Sequence, residues 1–361
     1  MKMRYIFSGL SLCILFLFHS CDPLVTRFPK QENAVYYESS VKHAAPTQAD
    51  TLLIMTWNIR FGAARLPWFG DSCGDRVILT GPEVENNMDG VCLKINEIDP
   101  DILTMQEADV NSKRTDYMDE VQYILDNTNL NYAVYASMWE AQYVPSDGLG
   151  RVNTGNVVFS KWKISDATRI QLPLRNDQDA LTKYFYLRRN ILKTKVAIPN
   201  HDDFHVVVVH ASAFSTDDTK ERQFNVLVDE LNKINDAGGK LVMGGDLNEL
   251  PPGTDSTNYC AEDWCPGDEP GSCREGSDYT SENTWLQGLY DAYTPAIALN
   301  RYLQNNQHFF THSTSGLEFW NRKLDYLFTN QQWVAGSDST HQEAMQLADH
   351  APVTARLVVS P

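Results

Sequence analysis

The sequence predicts a mixed α/β fold of sheets covered by helices, in one domain from about residue 50 to the end. Three observations lead there. Apolar runs of strand length alternate with stretches of helical periodicity from Thr51 onward. No internal repeat of solenoid length recurs. Polar strings stand where the strands stop: Thr56-Trp57-Asn58-Ile59-Arg60, Met105-Gln106-Glu107, Met243-Gly244-Gly245-Asp246-Leu247-Asn248-Glu249 and Ala348-Asp349-His350-Ala351-Pro352-Val353. With 361 residues, 42% of them hydrophobic and 21% charged, the chain can bury a sizeable core.

The N-terminus lies outside that core. Lys2 and Arg4 precede an apolar run from Tyr5 to Phe18, then His19-Ser20-Cys21. A basic head, a short apolar stretch and small residues at a cut read as a secretory signal over residues 1–20. A Cys just after the cut resembles the bacterial lipoprotein processing box, in which Cys21 would receive the lipid. The alternatives are a plain secretion signal or a membrane helix, for which the run is short. The expected product is exported and anchored to a membrane, on the periplasmic or cell-surface side. Residues 21–49 mix Pro, Gln, Ser, Thr and charge without periodicity, and read as a flexible tether.

Each element of the domain has its own signal. Leu52 to Met55 and Ile102 to Met105 are apolar runs of strand length. Between them, Val84, Met88, Val91, Ile95 and Ile98 recur at helical spacing over 83–98. Tyr117, Val121, Ile124 and Leu125 form the stripe of a second helix. Strands follow at 156–159, 190–196 and 205–209. Residues 217–235 carry Phe224, Leu227, Val228, Leu231 and Ile234 on one helical face, with Gly238-Gly239 past its end. Leu241 to Met243 and Leu324 to Phe328 complete the strands. Residues 252–283 are rich in Gly, Pro, Asp, Glu and Cys and read as a surface insertion.

Charge and cysteines bound the chemistry further. Loss of the signal takes Lys2 and Arg4 with it, so the net charge moves from −17 to −19. That sign disfavours passive nucleic-acid binding but allows an enzyme that meets phosphates through a cation. Outside the cytoplasm disulfides are permitted. Cys73 with Cys92 is one candidate bridge, and two of Cys260, Cys265 and Cys273 another. A zinc site at the last three is disfavoured by their spacing.

The strand-end residues suit metal-assisted attack on a phosphate ester: hard oxygen ligands, a carboxylate for water and an imidazole for developing charge. Asn58 is neutral and can ligand a metal or hold a phosphate oxygen. Glu107 needs a partner, either a divalent cation or Arg60. Asp246 can orient or deprotonate a water, and Asn248 can donate to a non-bridging oxygen; both also suit an Asx turn. Asp349-His350 is an acid–imidazole pair, and Asp325 can hold the other ring nitrogen of His350 and keep it protonated. His210 closes Val206 to Val209. Each alone also reads as an ordinary turn or core residue.

Taken in order, Asn58, Glu107, His210, Asp246, Asn248, Asp325 and Asp349-His350 resemble the endonuclease/exonuclease/phosphatase superfamily. The likeness covers nearly all of residues 51–359. It implies a four-layer α/β/β/α sandwich with two mostly antiparallel sheets packed face to face. It implies Mg²⁺ or Mn²⁺ held by Glu107, Asn58 and Asp349, a water aligned by Asp246, and a phosphate held by Asn248. His350, braced by Asp325, would stabilise charge on phosphorus, and His210 would face the leaving group. Gly155-Asn156-Val157-Val158-Phe159-Ser160 matches the family's Gly-Asn-x-x-x-Ser stretch and marks Asn156 as a substrate contact. Two departures stand out. Arg60 takes the place where abasic-site members carry Asp, which is closer to secreted deoxyribonuclease and sphingomyelinase branches. Ala211-Ser212 follows His210 where many members have Thr-His-Leu around the His.

The substrate is less legible. Lys183 to Arg189, with Lys193 and Lys195, is basic and aromatic, and offers Arg60 and Arg188 company as phosphate contacts. The same residues read equally as one charged strand face. Leu66-Pro67-Trp68-Phe69-Gly70 can touch lipid or a sugar ring, or cover the core. The expected activity is phosphodiester hydrolysis of nuclease type by a monomer. The alternatives are a lipid or sugar phosphate phosphatase of sphingomyelinase-like kind, and a catalytically silent binding module. Nucleic acid, phospholipid and small phosphate esters remain open as substrates.

Overall fold

Period-two alternation along the strands assigns apolar residues to two faces, and both faces are covered. The computed structural model describes residues 24–359 except 72, 216, 262, 266, 273–277, 280–284 and 314–318. The signal and Cys21 lie outside the described residues. One sheet runs β15 (Gln332–Trp333), β17 (Val353–Val358), β3 (Thr51–Asn58), β4 (Ile102–Asp109), β6 (Gly150–Ser160), β5 (Tyr132–Val144), β2 (Val35–Glu38), with β16 (Ser339–Thr340) beside β17. The other runs β1 (Gln31–Asn33), β7 (Ile164–Gln171), β8 (Asn190–Val196), β9 (Phe204–His210), β10 (Lys240–Asp246), β14 (Asp325–Thr329), β13 (Thr294–Pro295). Within the two sheets β3–β4 and β9–β10 pair in parallel and the other described pairs are antiparallel. The sheets are mostly antiparallel, as the resemblance implied.

Leu52, Ile54, Ile102, Val158, Val206, Val208, Val242, Leu327 and Val353 meet between the sheets. Their neighbours Met55, Trp57, Leu103 and Met105 face outward onto α1 (Gly81–Ile98) and α2 (Glu120–Asn127). Val207, Val209, Leu241, Met243 and Phe328 face the opposite way, onto Phe224, Leu227 and Leu231 of a further helix, Thr219–Asp236. Helix, sheet, sheet and helix thus stack in four layers. Helix α1 begins at Thr80, whose backbone N–H and hydroxyl both donate to Glu83 at 2.9 Å, and stops at Asp99 in the left-handed region.

Three expectations change. Residues 21–49 are not a free tether over their described part: β1 pairs β7, β2 pairs β5, and Val25 bridges Ala141. Ladder hydrogen bonds come from backbone groups, so a polar segment without periodicity can still cover an open sheet edge. Cys73 pairs with Cys265, not Cys92, and Cys260 is also disulfide-bonded. Cys92 lies on the buried stripe of α1 with Met88, Val91 and Ile95, so its thiol faces the core and is free. Tyr117 lies outside α2 and is exposed. The bridge from Cys73 joins the loop after β3 to the 252–283 segment, whose Thr257–Asn258 (β11) pairs Asp278–Tyr279 (β12).

Candidate active site

The inter-sheet face turns from apolar to polar at one end of the sandwich. Val206 and Val208 are followed at the same parity by His210, and Val242 and Gly244 by Asp246. Leu52, Ile54 and Thr56 lead to Asn58. Asp325 opens β14 at the parity of Leu327, directly opposite Asp246. One alternation rule therefore delivers four polar side chains to one place.

Two glycines of β10 relieve crowding, one against the opposite sheet and one against the neighbouring strand β9. A Cβ on Gly244 would lie 2.3 Å from Thr104 Oγ1 of the other sheet, and one on Gly245 would lie 2.0 Å from the Val209 carbonyl oxygen. Glu107 breaks the alternation. It sits in a bulge between Met105 and Ala108 with φ +61°, and the strand runs on to Asp109. Without the extra residue Glu107 would share the face of Met105, toward the helices. The bulge turns it to Asn58.

Asn58 Nδ2 donates to Glu107 Oε1 (3.3 Å) and Asp246 Oδ2 (3.2 Å), while its Oδ1 accepts from the Arg60 backbone N–H at 3.0 Å. The amide nitrogen, not the oxygen, thus faces the carboxylates. Asn58 is not placed as a metal ligand; it links Glu107 to Asp246. Asp246 also accepts from Asn248 N (2.9 Å) and Asn248 Nδ2 (3.2 Å), and His210 Nε2 lies 3.2 Å away. The Asx turn is real, and it serves the site by aiming donors at a carboxylate that is 1% exposed.

His350 is held on both sides. Its Nδ1 lies 2.8 Å from Asp325 Oδ2 and its Nε2 lies 3.7 Å from Asp246 Oδ2. Trp57 Nε1 donates to the His350 carbonyl at 2.9 Å and fixes the backbone. Burial alone would disfavour the imidazolium, but Asp325 and Asp246 outweigh it and raise the pKa to about 10. Burial would likewise raise Asp246, yet the His350 and His210 imidazoles and its hydrogen bonds hold it well below the usual carboxylate range. The trio carries a proton on the ring and charge on Asp246. Beside it, His312 packs its ring edge-on at 4.6 Å from His350 and is kept neutral by burial and the neighbouring His350 charge.

Two of these groups lie close enough to share an ion: His312 with Asp349 and His350, and Asp246 with Asp325 and His350. A protonated His350 is a poor ligand. We therefore read the second group as a proton-holding chain. Outside that chain, Asp71, Glu107 and Asp349 are the carboxylates that line the cavity. Asp349 Oδ1 is buried without a hydrogen-bond partner, which suits a cation there.

Three expected substrate contacts are placed differently. Arg60 lines the cavity, but its guanidinium is engaged by Asp71, by Asp349 at 3.4 Å, and by the carbonyls of Ala64 and Leu66. It braces Asp349 and the following loop. Asn156 is buried between the sheets and donates to Asn190 Oδ1 at 3.1 Å, two residues along β6 from Thr154, which does line the cavity. Arg188 donates to the Tyr184 and Tyr186 carbonyls and turns from the cavity; Arg189 faces it. Lys193 and Lys195 pair with Glu230 and Asp203. The cavity, of about 800 Å³, also holds residues no sequence signal marked: Arg114, Met138, Trp139, Thr154 and His312. None of them lies in a recognisable string, and each arrives through sheet pairing or a loop.

The fold and sequence have relatives. The structure is similar to an endonuclease/exonuclease/phosphatase of Beutenbergia cavernae, with 19% identity, TM-score 0.56, and coverage of 86% of this chain and 72% of that one. The human Nocturnin catalytic domain with bound sulfate matches at 14% identity and TM-score 0.53, covering 90% of this chain and 97% of that one. Truncated Caenorhabditis elegans TDP2 matches at 14% identity and TM-score 0.50, covering 87% and 99%. At these identities they share the fold. No curated protein matches the sequence at a significant level. The profile of the Endonuclease/Exonuclease/phosphatase family matches residues 55–350, which spans the site from β3 to His350, and the chain belongs to that family.

Proposed function

We propose that the protein is an exported, lipid-anchored hydrolase, tethered through Cys21, that cleaves a phosphodiester with water and a divalent cation, Mg²⁺ or Mn²⁺. The observation that carries this reading is that Glu107, His210, Asp246 and His350, from both sheets, line one cavity, with Asn58 bonded to Glu107 and Asp246 and Asp325 bonded to His350 behind them. Family membership supports hydrolysis of a phosphate ester. Glu107 and Asp349 would hold the cation, which when bound supplies positive charge beside the phosphate.

The remaining work falls to side chains. The Nε2–H of protonated His350 donates to a phosphate oxygen and stabilises the charge that grows there. Asp325 keeps that proton on the ring. Asp246 is too weak a base, at its lowered pKa, to act mainly by taking a proton, so it orients the attacking water through its acceptor oxygens. Asn58, Asn248 and His210 keep Asp246 in register.

The test is hydrolysis of bis(4-nitrophenyl) phosphate by the full chain with Mg²⁺ and with chelator. Turnover should need the ion. Glu107→Gln and His350→Ala should each slow it by about 10²–10³-fold, the size of one lost electrostatic stabiliser. Activity that ignores chelator, or either variant at wild-type rate, would remove the cation or that residue from the mechanism.

A further inference from the structure

The chain enters the fold beside the mouth of the catalytic cavity, and that point of entry can orient the whole molecule. β2 pairs with the first residues of β5, Glu38 with Tyr132 and Val35 with Tyr135. Traced back toward the N-terminus, the segment climbs β5 to Val25, which bridges Ala141. The Thr26 N–H donates to the Glu140 carbonyl at 2.8 Å, and the Gln142 N–H donates to the Leu24 carbonyl at 2.8 Å. On the way it passes Met138 and Trp139, which line the cavity. Val25 is buried in an apolar cluster with Ala141 and Val144, against which Trp68, Trp139, Tyr184 and Phe185 pack. The segment is therefore fixed at the cavity rim as far as Leu24, three residues after Cys21. Three residues of fully extended chain reach at most about 11 Å. A free tether over 21–49 would reach about 30 Å on average and let the molecule tumble.

The surface around this point suits a bilayer. Leu24 is 46% exposed, and Tyr143, which follows its partner Gln142, is 52% exposed. Leu181, 69% exposed, stands on the short helix Ala180–Phe185, one turn before the packed Tyr184 and Phe185. Phe214 is 78% exposed and lines the cavity with φ +54°, a conformation that bulky side chains rarely take. Its carbonyl accepts from Arg175, which also donates to the Tyr186 hydroxyl in the cavity wall. Apolar side chains exposed singly are ordinary, but several around one cavity mouth mark an interaction surface. Charge does not supply the attraction. Arg27 and Lys183 stand at this rim with Asp147 and Asp179, and the whole chain carries −17. A net negative charge of that size is not drawn to an anionic leaflet. Attachment then falls to the lipid, and orientation to the place where the lipid is joined.

We infer that lipid on Cys21 holds the mouth of the catalytic cavity against the bilayer, with Leu24, Tyr143, Leu181 and Phe214 seated in the membrane interface. The partner is the lipid surface itself. The inference rests on the lipid-anchor part of the proposed function and adds an orientation to it. β10 runs from Lys240 to Asp246, away from the far end of the sandwich, so Asp236 at that far end stands about 20 Å or more from the rim.

Quenching by membrane nitroxides tests the orientation. The full lipidated chain carries a thiol-linked fluorophore at Leu181→Cys, Phe214→Cys or Asp236→Cys and is reconstituted into phosphatidylcholine vesicles that contain nitroxide-labelled lipid. The unsubstituted chain taken through the same labelling gives the background. Fluorophores at 181 and 214 should lose most of their emission, because interfacial side chains reach the depth of the nitroxides. The fluorophore at 236 should keep its emission. A linker of about 20 Gly/Ser residues between Pro23 and Leu24, with a mean reach of about 25 Å, should bring 181 and 214 back to the level of 236. Equal quenching at the three positions without the linker overturns the inference, and so does quenching that the linker leaves unchanged. Mass spectrometry of the N-terminal peptide reads acylation separately. A chain without acyl groups refutes the anchor, and the orientation falls with it. An acylated chain with no positional bias refutes the orientation alone. Turnover of bis(4-nitrophenyl) phosphate by the same preparation reads the phosphoesterase activity apart from both.

Discussion

His350 is a buried imidazole between two carboxylates, so its proton is part of the stability of the fold as well as of the chemistry. Its pKa is raised from 6.5 to about 10, so the stabilisation is complete below pH 6.5 and is lost as pH rises toward 10. Asp246 contributes with the opposite sign: its pKa is lowered, so its share is present above the ordinary carboxylate range and is lost in acid. Melting temperature should therefore fall between pH 7 and pH 10, and His350→Asn should flatten that fall. A variant with the wild-type slope would show that another group titrates. Asp325→Asn leaves the ring without its anionic partner and should slow turnover by about 10–100-fold, as loss of an orienting partner does elsewhere. It should also move the alkaline fall in stability to lower pH. At this scale residue types at strand ends were readable in the sequence. The orientation of an amide was not. Asn58 reads as a ligand until Arg60 N–H occupies its oxygen. Arg188 and Arg189 are chemically identical neighbours, and only the turn of the backbone decides which meets the cavity.

Strands and helices were legible where one face alone is buried or a run is long. β8 matches its apolar pattern residue for residue, and the helix over Thr219–Asp236 lies within two residues of its periodicity. β5 has no run or alternation strong enough to announce it, because two bulges along its pairing with β6 shift which residues face inward. The bulge at Glu107 escaped for the same reason: nothing local demands it, and it exists because β4 must match β6 on one side while delivering a carboxylate at the end. The glycines of β10 relieve crowding, at Gly244 from Thr104 of the opposite sheet and at Gly245 from the Val209 backbone of the neighbouring strand β9. Gly245→Ala should cost about 1–3 kcal/mol by overpacking, because the clash is with backbone that cannot rotate away. Urea denaturation measures it, and an unchanged midpoint would mean that β9 and β10 shift apart more readily than this packing implies. The disulfide was misread at element scale. Cys92 stands on a buried helical stripe, and a helical period read strictly would have placed it there.

Across the whole molecule, β1 and β2 cover one edge of each sheet and are joined through Ala34, which packs between them. Deletion of residues 24–40 should uncover the edges of β7 and β5 together, lower the melting temperature and promote aggregation. Size-exclusion chromatography and thermal melts of the shortened chain decide this; a monomer of unchanged stability would return the segment to the status of a tether. The sequence by itself determined the class of the fold, the order of its elements and the identity of the residues that end the central strands, because periodicity and residue type are local properties. The tertiary structure decided which of those residues share a site, which cysteines pair, which arginine faces the cavity and what lines the rest of its wall. Those answers depend on strand order, bulges and the distance between two sheets, and such contacts join residues separated by tens to hundreds of positions along the chain.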